Sequence, residues 1–192
     1  MIDTIALVGD SIRLSYQPYA AARLRPQFVW GPADNCRSSR YLLRHIDRLV
    51  LDHLHDSTLV HFNVGAHDVK RLEHDGFGLQ VQLEEYRSNV AELIAAFRAH
   101  PRVARVVVAT TAPVDDIRHK TLDWLRHNED VIVYNEALVD AAAAARCFVN
   151  DLYEDVRRCR FDPLSEDGIH FNETGKEYAG AVVAAYLQGL LT

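Results

Sequence analysis

Short runs of apolar residues, many of them β-branched, recur along the chain and predict strands. The runs occupy residues 4–9, 27–31, 57–65, 105–113 and 145–151. Within each run the apolar residues are nearly continuous rather than alternating with polar ones. This pattern is typical of strands in a parallel sheet that is covered on both faces.

Between these runs, apolar residues recur at helical spacing and predict amphipathic helices over 38–54, 83–100, 129–144 and 174–191. The first of these segments carries its apolar stripe on Leu42, Leu43, Ile46, Leu49 and Val50. Strand and helix alternate along the whole chain. We therefore predict an α/β fold, a three-layer α/β/α sandwich around a central five-stranded parallel sheet.

Polar clusters follow the predicted strands at 9–11, 34–38 and 63–68, and the segment "DGIHFN" comes after the fifth strand. Ligands of open parallel sheets bind beyond the carboxyl ends of the strands. We therefore expect these clusters to meet although they are far apart in sequence. The segments without clear periodicity are 66–78, 112–128 and 157–172. The second of them follows the fourth strand, where a solvated loop is the default reading although such loops often shape a pocket.

Length and composition narrow the class of protein. The 192 residues suit one domain, 1–192, with a full hydrophobic core. The formal net charge is −6 and no long basic run occurs, so we expect no nucleic-acid partner. The three cysteines, Cys36, Cys147 and Cys159, are irregularly spaced, which indicates reduced thiols rather than a zinc site or a disulfide framework.

No segment reaches the roughly 20 apolar residues that cross a bilayer, so we expect no membrane span. The first residues, "MIDTIALVGDS", lack a basic stretch that precedes an apolar run and a cleavage site. They are interpreted as the first strand. We therefore expect a cytoplasmic protein or one that has already been processed.

Ser11 follows the first strand in "VGDSI" and is the candidate nucleophile, because hydrolases place such a serine on a sharp turn after a strand. A serine hydroxyl needs a base, and His170 in "DGIH" is the best-placed histidine. Asp167 lies three residues earlier and can orient the imidazole. Each motif also has a structural reading, since Gly, Asp and Ser favour turns and an Asp before a helix often caps it.

Taken together, these motifs resemble those of the SGNH or GDSL hydrolase superfamily. That family has a GDS serine after the first strand, a glycine block after the second, a G-x-N-D block after the third, and a D-x-x-H before the last helix. Here "NCR" at 35–37 and "GAHD" at 65–68 depart from the two middle blocks and are similar to a subgroup of GDSL-like proteins. The resemblance implies a flavodoxin-like sheet and the triad of Ser11, Asp167 and His170.

The resemblance also implies an oxyanion hole. Its donors would be the main-chain N–H groups of Ser11 and Cys36 and the side chain of His67, which replaces the usual Asn. A histidine ring N–H can make this bond. Asn63 is the second choice. We further predict substrate contacts from Asp10, Asn35 and Arg37, although Arg37 could equally pair with a surface acid.

The implied activity is hydrolysis of carboxylic esters through an acyl-enzyme on Ser11, without a metal or an organic cofactor. The polar clusters favour a small acyl group, such as acetyl, on a polar or carbohydrate alcohol. Two alternatives remain open at this point. The altered middle blocks could mark a weak or inactive binding module, and the same serine could transfer the acyl group to an acceptor other than water.

Overall fold

The computed structural model of the chain describes residues 2–72, 76, 78–121 and 124–191. Within these residues, one or more helices lie between successive predicted strands. In chain order they are β1 (Thr4–Val8), α1 (Ser11–Arg23), β2 (Phe28–Trp30), α2 (Ser39–Arg44), α3 (Ile46–Leu49), β3 (Thr58–Phe62), β4 (Arg71–Leu72), α4 (Leu83–Ala99), β5 (Val103–Ala109), β6 (Trp124–Leu125), α5 (Asn128–Ala144), β7 (Phe148–Asn150), α6 (Leu152–Arg157) and α7 (Glu173–Gln188).

Five strands form one parallel sheet in the order β2-β1-β3-β5-β7. In the register of the central strands, Leu7 lies opposite His61, which lies opposite Val107. A separate antiparallel ribbon joins β4 to β6. The prediction of an α/β fold with a central five-stranded parallel sheet is confirmed.

Helices cover both faces of the sheet. On one face α1 contacts α7, and α7 also contacts α6, while on the other α4 contacts both α2 and α5. The buried strands β1 and β3 supply fully buried side chains at the centre of the core. No helix in the described part of the chain is long and apolar enough to cross a membrane.

Several elements differ from the sequence expectation. The helix predicted over 38–54 is broken into α2, α3 and a 3₁₀ turn at Leu51–His53, because the backbone leaves helical geometry at His45 and Val50. The short helix α6 and the ribbon were not predicted. Helix α1 was also missed, since it carries Pro18 and its buried face includes a charged residue, Arg13.

Two of the segments without periodicity contain residues outside the described part of the chain. These are 73–75 and 77 in the first segment, and 122 and 123 in the second. The described remainder of the first segment includes β4. The described remainder of the second includes a 3₁₀ turn at Arg118–Thr121 and strand β6.

A histidine, His61, lies in the middle of β3 and is 0 % exposed. Its Nε2 accepts a hydrogen bond from the Asn150 side chain at 3.1 Å, and its Nδ1 has no partner among the described residues. Burial lowers the pKa of His61 from 6.5 to about 4. The folded core therefore holds a neutral imidazole at a pH where the unfolded chain would already be protonated.

We expect this histidine to make the fold sensitive to acid. Between pH 6.5 and about 4 the unfolded state binds one proton more than the folded state, so stability falls as pH falls through this window. At pH 5 the loss is about 2 kcal/mol of unfolding free energy. The variant His61→Gln keeps an acceptor for Asn150 but does not titrate. Between pH 7 and pH 5 it should therefore lose about 2 kcal/mol less unfolding free energy than the wild type.

Urea unfolding of the wild type and the variant at both pH values measures this difference. The matched control is His55→Gln, which removes an exposed histidine and should keep the acid sensitivity of the wild type. Equal losses for the wild type and His61→Gln would contradict the prediction.

Candidate active site

Ser11 lies at the first position of α1, directly after the turn that leaves β1. Asp10 caps this helix, because its Oδ1 accepts a hydrogen bond from the Ile12 N–H at 2.9 Å. Gly9 is required at the turn, since a Cβ there would lie 2.1 Å from Asn63 Oδ1. The main-chain N–H of Ser11 has no acceptor among the described residues, as expected in the first turn of a helix.

The structure brings Ser11, His170 and Asp167 into one hydrogen-bonded chain. Ser11 Oγ lies 3.0 Å from His170 Nε2. On the other side of the ring, His170 Nδ1 lies 2.5 Å from Asp167 Oδ2. With Nδ1 protonated and held by the carboxylate, Nε2 is free to accept the serine proton.

Asp167 is held by a compact loop before α7. Its Oδ1 accepts hydrogen bonds from the main-chain N–H groups of Ile169 and His170, both at 3.0 Å, and from the Ser165 hydroxyl at 2.8 Å. Burial raises the pKa of Asp167, but the bonds from the His170 ring, from these N–H groups and from Ser165 outweigh it and lower the pKa well below its usual range. The carboxylate therefore stays ionised and keeps the imidazole oriented.

The loop after β5 supports the loop that carries Asp167 and His170. Arg118 pairs with Asp115 and Asp162 at 2.8 and 2.9 Å, and it also donates to the Ser165 carbonyl at 3.1 Å. The Asp115 N–H donates to the Gly168 carbonyl at 2.8 Å. This part of the segment predicted as irregular thus supports the position of His170.

A buried arginine, Arg13 of α1, ties the loop after β2 to the nucleophile turn. Its guanidinium donates to the carbonyls of Pro32 at 2.9 Å, Gly9 at 3.1 Å and Asp34 at 3.2 Å. Sequence reasoning missed this residue. The sequence carried no clear signal for it, because helix α1 was not predicted and the burial of Arg13 is a property of the tertiary structure.

The prediction that the Cys36 N–H donates to the oxyanion is wrong. Its main-chain N–H donates to the Gly9 carbonyl at 3.1 Å and is not available to a substrate. Its thiol is fully buried, and burial raises the thiol pKa despite the opposing effect of Arg13. The neighbouring Asn35 lines the cavity with Ser11, and its main-chain N–H has no acceptor among the described residues.

The loop after β3 brings His67 into the same cavity as Ser11 and His170. Gly65 makes this path possible, because its φ is 144° and a Cβ would lie 2.2 Å from Thr111 Oγ1. Burial, together with the charges of Arg126, Lys70 and Arg37, lowers the pKa of His67, although Asp10 acts in the opposite direction. The ring is therefore neutral at pH 7 and carries one N–H donor.

Two other polar residues near the end of β3, Asp68 and Asn63, are buried. Asp68 is buried, and its oxygens accept from the Ser39 N–H at 3.0 Å, so it fastens this loop to the start of α2. Burial raises the pKa of Asp68 to about 7 against the effect of the Ser39 bonds. Asn63, the second-choice donor, is buried against Gly9 and does not line the cavity.

The structure places the three predicted substrate-contact residues in different surroundings. Asn35 lines the cavity, and its Oδ1 accepts from the Arg37 N–H at 2.7 Å. Asp10 is fully buried as the helix cap, which corrects its prediction as a direct contact. Arg37 is exposed, packs over the ring of Tyr41 at 4.8 Å and lines a different cavity, so its substrate contact stays a prediction.

The cavity in front of Ser11 has a volume of about 220 Å³. Its lining includes two cations and one large aromatic residue that the sequence analysis did not assign to the site, namely Lys70, Arg126 and Trp124. A larger cavity of about 640 Å³ lies beside β2, but none of the predicted site residues lines it. The chemistry of the triad therefore identifies the smaller cavity as the candidate active site. Across the residues that the structure describes, no group of three or more His, Cys, Asp or Glu side chains is arranged to hold a metal ion.

Solved structures share this fold over nearly the whole chain. A lipase/acylhydrolase from Enterococcus faecalis has 22% sequence identity and a TM-score of 0.74, covering 100% of this chain and 98% of that chain. An acetyl xylan esterase, AlAXEase, has 16% identity and a TM-score of 0.76, with coverages of 96% and 99%. A variant of an acetyl xylan esterase from Geobacillus stearothermophilus has 15% identity and a TM-score of 0.69, with coverages of 98% and 94%.

Sequence comparison identifies a family but no individual curated relative. A search among curated proteins found no match. The model of the GDSL-like Lipase/Acylhydrolase family matches residues 7–178, which include Ser11, Asp167 and His170. This match confirms the resemblance drawn from the motifs. The chain belongs to the GDSL-like lipase/acylhydrolase family and is a hydrolase.

Proposed function

We propose that this hydrolase is a serine esterase that cleaves small carboxylic esters through an acyl-enzyme on Ser11. The observation that carries the proposal is the hydrogen-bonded chain from Ser11 Oγ through the His170 ring to the Asp167 carboxylate. This order of nucleophile, base and orienting acid is what activation of a serine hydroxyl requires.

In the first half of the reaction, Ser11 Oγ attacks the ester carbonyl carbon while His170 Nε2 takes the hydroxyl proton. The bond that forms joins Oγ to the carbonyl carbon, and the carbonyl oxygen becomes an oxyanion. Collapse of this intermediate breaks the bond to the alcohol oxygen, which receives the proton from His170. The alcohol leaves and the acyl group stays on Ser11.

Three groups would donate to the oxyanion in this proposal. Two are the main-chain N–H groups of Ser11 and Asn35, and the third is a ring N–H of the neutral His67. The N-terminus of α1 adds its partial positive charge at the same place. Donors that are in place before the charge develops lower the barrier without reorganisation.

In the second half, His170 takes a proton from water, which attacks the acyl carbon. The bond to Ser11 Oγ then breaks, the serine regains its proton, and the acid is released. The cavity of about 220 Å³ favours a small acyl group such as acetyl. Two structures that share the fold are acetyl xylan esterases, which supports an acetyl ester of a polar or carbohydrate alcohol as the substrate class.

Replacement of the nucleophile tests the mechanism. We expect Ser11→Ala to fold normally and to lose on the order of 10⁶-fold in turnover of 4-nitrophenyl acetate, because no other group replaces the attacking oxygen. A fluorophosphonate should label Ser11 in the wild type. Rates and labelling, located by peptide mass spectrometry, measure the two effects.

The matched control is Ser15→Ala, which removes a serine hydroxyl that donates to the Ile12 carbonyl one turn along the same helix. It should keep both turnover and labelling. If Ser11→Ala retains a substantial fraction of the wild-type rate, Ser11 is not the nucleophile. An unlabelled and inactive wild type would favour the binding module, and ester products formed with added alcohols would indicate acyl transfer.

His67 should act in the transition state. The loss of one oxyanion donor costs about 10²–10³ in rate, so we expect His67→Ala to lower kcat by about that factor with little change in KM. An amide can occupy similar space, and His67→Asn should therefore recover part of the loss. Steady-state kinetics with 4-nitrophenyl acetate measure both variants.

The division between kcat and KM decides the role of His67. An increase in KM at unchanged kcat would contradict the oxyanion role, because it would mean that the ring binds the ground state as tightly as the transition state.

A further inference from the structure

The β4–β6 ribbon brings two cations to the wall of the cavity. In its register Arg71 lies opposite Leu125 and Leu72 lies opposite Trp124. The next residues beyond the first pair are Lys70 and Arg126. Both line the cavity that contains Ser11, although 55 positions separate them in sequence.

Both cations pack on one aromatic ring. Lys70 Nζ and the guanidinium carbon of Arg126 each lie 4.6 Å from the ring centroid of Trp124. Attraction to the ring stabilises a cation at such a distance. It also holds the two positive charges close together, where they repel each other.

Arg126 is 5 % exposed and incompletely bonded. Its Nε donates to the Ala66 carbonyl, which fixes the plane of the guanidinium. Its Nη1 is buried and has no acceptor among the described residues. Leaving a buried charged donor without a partner is unfavourable. Arg126 lines the cavity, and a ligand whose oxygen reached Nη1 would supply the acceptor that this atom lacks.

The charge of the cavity agrees with an anionic ligand. Among the described residues that line it, two are cationic and none is Asp or Glu. Burial lowers the pKa of Arg126 to about 10, so the guanidinium remains charged at pH 7. Burial and the charge of Arg126 also lower the pKa of Lys70.

Two carboxylates act on Arg126, since the charges of Asp10 and Asp167 both raise the pKa of the guanidinium. Asp167 is already bonded to His170. The competing explanation is therefore that Asp10 is the partner of Arg126. However, the two side chains form no ion pair in the described part of the chain. The Oδ1 of Asp10 is bound to the Ile12 N–H, and its Oδ2 is itself without a partner. Asp10 therefore offsets part of the charge of Arg126 but leaves Nη1 without an acceptor.

We propose that Arg126 and Lys70 form an anion subsite beside Ser11 that selects esters whose alcohol carries a negatively charged group. This inference rests on the proposed esterase function. The acyl group in that function is small and neutral, so the charge belongs to the alcohol. Arg126 would bind a carboxylate or phosphate oxygen through Nη1, and Lys70 would add a second positive charge.

A matched pair of substrates tests the subsite. The acetyl ester of 4-hydroxybenzoate carries a carboxylate, and the acetyl ester of 4-hydroxybenzamide has nearly the same shape without the charge. We expect the wild type to prefer the anionic ester by at least about tenfold in kcat/KM, as a charge-assisted hydrogen bond allows. Equal kcat/KM values, or a preference for the neutral ester, would overturn the proposal.

Variants locate the preference within the site. Arg126→Gln should reduce the ratio of the two kcat/KM values by about 10- to 100-fold, and Lys70→Gln should reduce it several-fold. The matched control is Arg44→Gln, which removes an exposed positive charge that lines a different cavity and should leave the ratio unchanged. If Arg126→Gln does not fold, the proposal is tested by the kcat/KM ratio of the wild type and by its decrease in Lys70→Gln. A ratio that neither variant lowers would overturn the assignment.

Binding of the free alcohols separates this inference from the proposed function. Calorimetry with 4-hydroxybenzoate and 4-hydroxybenzamide requires no turnover, so it reports on the subsite even if neither ester is hydrolysed. Tighter binding of the benzoate, lost in the Lys70 and Arg126 variants, supports the subsite in either case. Equal binding of the two compounds by an enzyme that fluorophosphonate labels on Ser11 would overturn the subsite and leave the esterase function standing.

Discussion

The geometry of the site depends on the carbonyl of Gly9 and the buried guanidinium of Arg13. That carbonyl accepts from the Cys36 N–H and from Arg13, which also holds the carbonyls of Pro32 and Asp34. The turn that presents Ser11 and the loop after β2 therefore form one hydrogen-bonded unit. Burial lowers the pKa of Arg13, so the bonds to these carbonyls are what compensate the buried charge. Without this unit the Asn35 N–H would have no defined position relative to Ser11.

Two further constraints complete the site around this unit. Arg118 and Asp115 hold the loop of Asp167 and His170 from the side of β5, while Asp68 fastens the loop of His67 to the start of α2. Each of these loops is thus tied by hydrogen bonds to a different strand connection. Such support keeps the hydrogen bonds short before a substrate arrives, which is where preorganised sites gain rate.

In the proposed mechanism, the middle blocks that depart from the family pattern supply the oxyanion donors by different means. Cys36 turns its N–H away from the cavity, and Asn35, one position earlier, has a free N–H beside Ser11. In the same proposal, the neutral ring of His67 takes the place of the usual amide donor. Lys70 and Arg126 repel each other in the cavity wall. Trp124 offsets part of this repulsion because its ring contacts both cations. Donors and charges in the site therefore favour negative charge both on the reacting carbonyl and, in the proposed subsite, on the alcohol.

Apolar runs and local motifs in the sequence determined the five strands, the parallel sheet, and the segments with Ser11, Asp167 and His170. These features depend on neighbours in sequence, because strand burial, helical periodicity and a D-x-x-H loop are local properties. Only the tertiary structure decided that the Cys36 N–H is bonded to the Gly9 carbonyl and that Asp10 is buried. It also decided that Lys70 and Arg126 both contact Trp124. Those outcomes depend on contacts between distant segments. A hydrogen bond or an ion pair across a cavity leaves no periodic pattern in the residues that make it.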